Sequence, residues 1–403
     1  MKKQNVVLKP GKEKPIRSRH HWIFSGAISS LPDFVDGDIL GVESAQGIFL
    51  GYGYFHHQTS ISGRMLSFDE TSGVEAVKEN LDRAIAMREA LFDHKEINAY
   101  RLVHSEGDGV PGLIVDQYAD VLVLQATTLG IDRLKPIIVE HLQKRLKPRS
   151  IFEKSTSPSR REEGLRDQVG MLIGEPVLGV EIKENGLKFV VDIVNGQKTG
   201  FFLDQREMRD YVRELASGKR VLNCFGYTGG FSVAALVGGA LSADTIDQDA
   251  GAVALAKKNV ALNNFKIKEV LSRAERSEVE GAGFITDDVF QFLRTKDLSG
   301  YELIILDPPA FAKRKTDVIA ACRGYKEINR LAMERMPAGS ILFTSSCSYH
   351  VDDKLFQTVI FQAALDAKRD VKIIGRHRHA PDHPVNIYHP EGEYLKSLVL
   401  FIG

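Results

Sequence analysis

One cysteine and one aspartate each stand directly after an apolar run, and together they define the chemistry open to this chain. Cys347 follows Ser340–Thr344 within Ser-Ser-Cys-Ser, and Asp307 closes the run from Leu303 and opens Asp307-Pro-Pro-Ala-Phe311. C5 of a pyrimidine is a poor nucleophile, and a thiolate added at C6 turns the ring into an enamine able to attack an electrophile. A carboxylate on the N3 and 4-amino edge of a cytosine favours protonation during that attack. Methylation of an exocyclic amine asks for less: acceptors that orient the amine suffice, and Asp-Pro-Pro followed by an aromatic provides them. Most free cysteines are small buried hydrophobes, but Ser345, Ser346 and Ser348 surround Cys347 with polar groups. Cys347 is therefore a candidate nucleophile, one that would need a lowered pKa or deprotonation with help from the substrate. Asp307 is read as its partner on the base edge, and Cys224 and Cys322 as structural.

The elements that must position this pair begin at Lys219, where the chain takes up a rhythm of apolar strand, loop and helix. Strands are expected at Arg220–Cys224, Leu241–Asp247, Gly283–Thr286, Leu303–Asp307 and Ser340–Thr344. Such alternation implies a mostly parallel, doubly wound sheet that binds ligands at the carboxyl ends of its strands. The strands ending at Asp307 and Thr344 should be neighbours, which places the carboxylate and the thiol on one edge. The first strand runs into a turn holding Gly226, Gly229 and Gly230. That spacing is not the Gly-x-Gly-x-x-Gly that seats a dinucleotide pyrophosphate, so a cofactor without phosphates is favoured over a dehydrogenase. Asp247 ends the second strand, where an acid can hydrogen-bond ribose hydroxyls. Asp288 or Asp287 after the third could accept from an adenine amine.

The 403 residues carry a formal net charge of zero, with 43% hydrophobic and 26% charged residues, as expected of a globular protein of two or three domains. No apolar run reaches the length of a membrane span. Three scattered cysteines offer neither a disulfide framework nor a metal site and fit a reduced cytoplasm. The charge is unevenly spread: residues 1–24 and 141–166 are rich in Lys and Arg, and His20, His21, Trp22 and Phe24 interleave the first run. Phosphates respond to such local patches rather than to the sum. Short strands at Asp38–Val42, Gly47–Tyr54 and Ser60–Ser67 suggest a small N-terminal barrel. Ser72 and Glu75 form a capping-box signature that opens a helix with Val77, Leu81, Ile85 and Phe92 on its apolar face. Two strands, Gly112–Asp116 and Val121–Ala126, a helix from Asp132, and strands at Ser150–Lys154, Val177–Lys183 and Leu187–Ile193 then suggest an α+β region. The domains are expected at 1–74, 75–185 and 186–403.

Several stretches carry a family resemblance: His20–Ser25, Glu106–Asp116, Thr199–Arg206, the Gly226 turn, Asp307–Phe311 with Cys322–Tyr325, and Ser346–Ser348. They resemble class I S-adenosylmethionine methyltransferases, and specifically the RlmI-type bacterial large-subunit ribosomal RNA cytosine-C5 methyltransferases. The resemblance implies an N-terminal PUA RNA-binding domain, a small central α+β domain and a C-terminal Rossmann-like methyltransferase domain, assembled as a homodimer. It implies that Asn223, Phe225, Gly226, Gly229, Asp247, Asp288, Asp307 and Pro308 line S-adenosylmethionine, with Phe202–Arg206 closing over it. A target base must leave its stack to reach Cys347. Lys313, Arg323 and Tyr325 are candidate holders of its backbone, and His20 and Trp22 offer an edge or stacking surface. The sequence departs from the family at His21, where proline is usual. As in the family, Pro309 stands where many other RNA cytosine-C5 enzymes carry a second cysteine, so the base that removes the C5 proton is not identified. Two other readings compete: an amine methyltransferase using the Asp-Pro-Pro loop alone, and an RNA-binding assembly factor with a vestigial cofactor site.

Overall fold

The computed structural model describes residues 5–267 and 281–403, which form two compact units. The first runs through Ile182 and includes Val191–Leu203 and Pro381–Gly392, and the second comprises Lys183–Val190, Asp204–Ala380 and Glu393–Gly403.

The first unit opens with a curled six-stranded sheet in the order Trp22–Phe24, Ile61–Met65, Phe49–Phe55, Ile39–Glu43, Val6–Leu8, Ile28–Ser30. Val6, Leu8, Ile23, Val42, Leu50, Phe55 and Met65 of this region form one apolar core with Ile16 of the short helix Lys14–Arg17. The first and last strands in this order, and Val6–Leu8, are three residues long, too short for alternation to reveal them in the sequence. The helix Gly73–Leu91 starts where the Ser72 hydroxyl accepts from Glu75 N at 3.4 Å. Val77, Leu81 and Ile85 are buried, whereas Phe92 lies one residue past the helix as its C-cap.

A five-stranded sheet follows in the order Gln168–Gly174, Ser150–Ser155, Val121–Ala126, Leu113–Tyr118, Ala99–His104. The strand Ala99–His104 is not apparent in the sequence because it buries Arg101 and His104. Arg101 is tolerated inside by a two-pronged pair with Asp116, at 2.8 and 3.0 Å. The polar stretch 155–170 holds the helix Pro158–Glu162 and the start of an edge strand. Two cations of the basic run 141–166 face inward: Arg160 is fully buried against Asp132 and the Ala126 and Arg166 carbonyls, and Lys154 donates to the Ile193 and Gly196 carbonyls. These two cannot meet a phosphate. Lys2 and Lys3 of the N-terminal run lie outside the described residues.

Arg88 is fully enclosed and paired with Asp108 at 2.6 and 2.8 Å, with further bonds to the Arg101 and Asp382 carbonyls. Removing one partner of such a pair strands a buried charge. Asp108→Ala is expected to cost roughly 3–5 kcal/mol, read as a lowered midpoint of urea unfolding with an unchanged slope.

The second unit is built on seven strands: β1 (Arg220–Cys224), β2 (Ser242–Asp247), β3 (Gly281–Thr286), β4 (Leu303–Leu306), β5 (Ser340–Ser346), β6 (Val371–His377) and β7 (Lys396–Ile402), in the order β3-β2-β1-β4-β5-β7-β6. β1 to β5 are parallel, joined by crossover helices as the apolar rhythm predicts, and β7 runs antiparallel between β5 and β6. Leu222, Ile304, Leu342 and Leu400 on the strands meet Ile328, Leu331, Phe356 and Val359 on the helices. The hairpin of Val180–Glu184 and Leu187–Val191 brings backbone amides to two asparagine sockets, Val190 N on Asn259 Oδ1 and Lys188 N on Asn263 Oδ1. Among the described residues, no helix is long and apolar enough to cross a membrane.

Candidate active site

The loop after β1 is held in an uncommon conformation, with Phe225, Tyr227 and Gly229 at φ of 57°, 44° and 79°. Side chains rarely adopt such angles without support. Support comes from the end of β2, where Asp247 accepts from Tyr227 N at 2.9 Å and from Asp249 N at 3.0 Å, and Ile246 O accepts from Gly226 N. Gly226 serves a different need from Gly229. Its φ is ordinary, but a Cβ there would lie 2.4 Å from Thr245 Cγ2, so only glycine lets the loop lie down on β2. Gly229 is the left-handed N-cap of the helix Gly230–Val237, and a Cβ there would lie 2.9 Å from that of Ala256. Gly226→Ala is expected to destabilise the fold by about 1–3 kcal/mol through overpacking and to weaken S-adenosylmethionine binding, measured by titration calorimetry beside the unfolding curve.

Other expected cofactor residues fall into distinct places. Asn223 has no exposed surface; it donates to Ser232 Oγ at 2.9 Å, which in turn bonds Thr245, so it braces the turn. Phe225 is half-buried against Phe290 and Phe311. Asp288 caps the helix Val289–Thr295 by accepting from Gln291 N at 2.8 Å and remains exposed. Arg206 is buried beside Glu184, 3.5 Å away, whose two carboxylate oxygens also hold Arg209 in a two-pronged pair. Phe202 belongs to the Val191–Leu203 segment of the first unit, with Lys198 Nζ 4.5 Å above its ring.

β4 and β5 pair in parallel with Leu306 opposite Thr344, which brings Asp307 and Cys347 to the same carboxyl edge. Asp307 is half-buried and accepts from Gln205 Nε2 at 2.9 Å. Gln205 is itself buried, and its other amide atom, Oε1, has no hydrogen-bond partner among the described residues. This contact was not foreseen, because the two residues lie 102 positions apart; the only signal was that Gln205 falls inside the Thr199–Arg206 stretch. Cys347 is half-buried, and its Sγ lies 3.8 Å from the carbonyl of Pro308, a buried residue. The sulfur is thus neither sealed in an apolar interior nor on the opposite edge. Its flanking serines are buried and bonded: Ser348 Oγ accepts from Ala312 N at 3.1 Å and meets the Tyr325 hydroxyl at 2.9 Å, and the Ser348 carbonyl accepts from Lys396 Nζ at 2.7 Å. Burial pushes the phenol of Tyr325 up. It also pushes up the thiols of Cys224 and Cys322, which suits inert packing groups.

Of the expected RNA-facing residues, Lys313 and Arg323 are exposed, whereas Tyr325 has no exposed surface and shapes the Cys347 loop from beneath. In the first unit, Trp22 Nε1 donates to Glu106 at 2.8 Å, and His20 lies 3.2 Å from Glu391. His21, the departure from the family, turns inward, with Nδ1 2.9 Å from Met65 O and its ring against Phe68. Burial lowers its pKa. His20, His389 and Glu391 are close enough to suggest a metal triad. However, His20 Nδ1 accepts from Trp22 N, which leaves the proton on Nε2 facing Glu391, so the group reads as a hydrogen-bonded pair.

A model of S-adenosylmethionine-dependent methyltransferases matches residues 164–386, and one of PUA-like domains matches residues 6–68. Ribosomal RNA large subunit methyltransferase I of Shewanella denitrificans is 40% identical over 401 residues, covering 98% of both chains. The chain belongs to this RlmI-type family. The enzyme of the same name from Aeromonas salmonicida is likewise 40% identical over 401 residues. As a member, the protein is a multidomain S-adenosylmethionine-dependent methyltransferase with a PUA-like N-terminal domain. Two solved structures share the fold: one assigned as a methyltransferase and complexed with SAH (TM-score 0.83, 24% identity, 99% of this chain and 100% of that one), and one assigned as a SAM-dependent methyltransferase from Streptococcus mutans (TM-score 0.81, 23% identity, 99% and 100%). The glycine turn opening a helix and the carboxylate ending β2 suit such a cofactor, whose chemistry is to supply an electrophilic methyl group.

Proposed function

We propose that this enzyme forms 5-methylcytosine in large-subunit ribosomal RNA through a covalent adduct between Cys347 and C6 of the target base. The observation that carries the reading is the placement of the Cys347 thiol beside the Asp307-Pro308 turn on adjacent strand ends. The RNA substrate follows from the names of the relatives, together with the PUA-like domain and the exposed Lys313 and Arg323.

Asp247 and the backbone of the Phe225–Gly229 loop would hold the cofactor, and Asp307 would accept from the cytosine 4-amino group, raising the basicity of N3. The Cys347 thiolate then bonds to C6 while the C5–C6 π electrons shift into the ring and N3 takes up a proton. C5 attacks the methyl carbon, and the departing thioether keeps the electron pair of the broken bond. Loss of the C5 proton to solvent expels the thiolate, and N3 gives back the proton it took up, which restores the neutral aromatic ring. The homodimer and the cytoplasmic setting implied by the resemblance belong to the same proposal.

Bisulfite mapping of ribosomal RNA from cells with and without this protein tests it. One large-subunit cytosine protected only when the protein is present is the expected outcome. An unchanged cytosine map with a changed purine methylation would contradict the reading.

A further inference from the structure

We infer that Lys396 is a positioning residue for the reaction, the cation that holds Cys347 as a thiolate; this rests on the reading of Cys347 as nucleophile. Lys396 opens β7 and lies opposite Ser346 in the antiparallel pairing with β5, next to the cysteine loop. Its Nζ reaches across to the Ser348 carbonyl at 2.7 Å. The ammonium is thereby fixed on one neighbour of Cys347, while the backbone of Lys396 pairs with the other. It is only 5% exposed, so its field is poorly screened by water.

The charged groups facing Lys396 are Cys347, Asp352 and Asp353. Both acids have other tasks. Asp352 caps the helix Asp353–Ala367 through Leu355 N at 2.8 Å, and Asp353 pairs with Arg378 at 3.2 Å. On the other side of Cys347, Tyr325 is neutral, its phenol pushed up by burial. Burial lowers the ammonium of Lys396 to about 8, and the nearby carboxylates and Cys347 pull the other way. A buried cation bonded to a backbone carbonyl is best satisfied by an adjacent anion, and the sulfur of Cys347 can supply it. In the resting enzyme the thiol proton goes to solvent, Lys396 keeps its own, and the sulfur carries the negative charge. The same charge returns when the adduct breaks down. An ordinary thiol, with a pKa of about 8.5, is only a few per cent thiolate at neutral pH.

The test is the pH dependence of iodoacetamide alkylation of the full chain without RNA, with Cys347 distinguished from Cys224 and Cys322 by peptide mapping. In the unaltered enzyme, the half-maximal rate at Cys347 is expected about one pH unit or more below that of an ordinary thiol. Lys396→Met should return it to the ordinary range, and Lys396→Arg, which keeps the cation, should preserve the low value. A half-maximal rate at or above the ordinary value in the unaltered enzyme overturns the inference. So does an unchanged profile in a Lys396→Met protein that still melts cooperatively and binds S-adenosylmethionine. If the methionine variant fails to fold, the unaltered and arginine profiles decide. Methylation by Cys347→Ala, assayed in parallel, keeps the two ideas apart: full activity there overturns the nucleophile, whereas an inactive variant beside a Lys396-independent profile overturns only the role of the lysine.

Discussion

Cys347→Ala is expected to lower RNA methylation by a factor on the order of 10⁴ or more, while S-adenosylmethionine affinity stays within about twofold. The size follows from the chemistry: without a bond at C6, C5 of cytosine has too little electron density to attack a methyl group. The selectivity follows from the geometry. The sulfur sits after β5 beside Pro308, whereas the glycine turn and Asp247 belong to β1 and β2. Single-turnover methylation beside calorimetric cofactor titration separates the two effects. An amine methyltransferase would keep most of its rate in this variant, so retained activity would move the account to the Asp307 loop alone.

Asp307→Asn should lower the rate constant for methyl transfer by about 10²- to 10⁴-fold, the usual range for losing a group that manages a proton in the transition state. The substitution preserves shape, so RNA affinity should change little. The amide of Gln205, which now donates to Asp307 at 2.9 Å, would face a neutral group, and the acceptor charge on the base edge would be lost. A variant at the unaltered rate would remove this carboxylate from the mechanism. A variant with intact chemistry but weakened cofactor binding would reassign it to holding S-adenosylmethionine.

What the sequence disclosed was governed by how local each signal is. The parallel strands were legible because each is an apolar run bounded by glycine, acid or proline, and the doubly wound pattern then makes β4 and β5 neighbours and brings Asp307 and Cys347 together. β6 and β7 were not legible, because they follow the last crossover helix and β6 is an edge strand with Lys372 and Arg376 in it. Lys396 stayed hidden with them. What the sequence did not disclose is the burial of polar side chains that depends on distant partners. Arg206 needs Glu184, Tyr325 needs Ser348, Asn223 needs Ser232 and Arg160 needs Asp132. Nothing in the neighbourhood of such a residue announces that its charge or dipole is met from elsewhere.

The most direct test of the covalent step is trapping with large-subunit RNA transcribed with 5-fluorocytidine, whose C5 fluorine cannot leave as a cation and so stalls the adduct. With S-adenosylmethionine present, the account predicts a complex stable to denaturing electrophoresis, whose digest carries the modified nucleotide on Cys347 and which is absent from Cys347→Ala. No such complex under conditions where ordinary RNA is methylated, or one that forms equally well without this thiol, would contradict it.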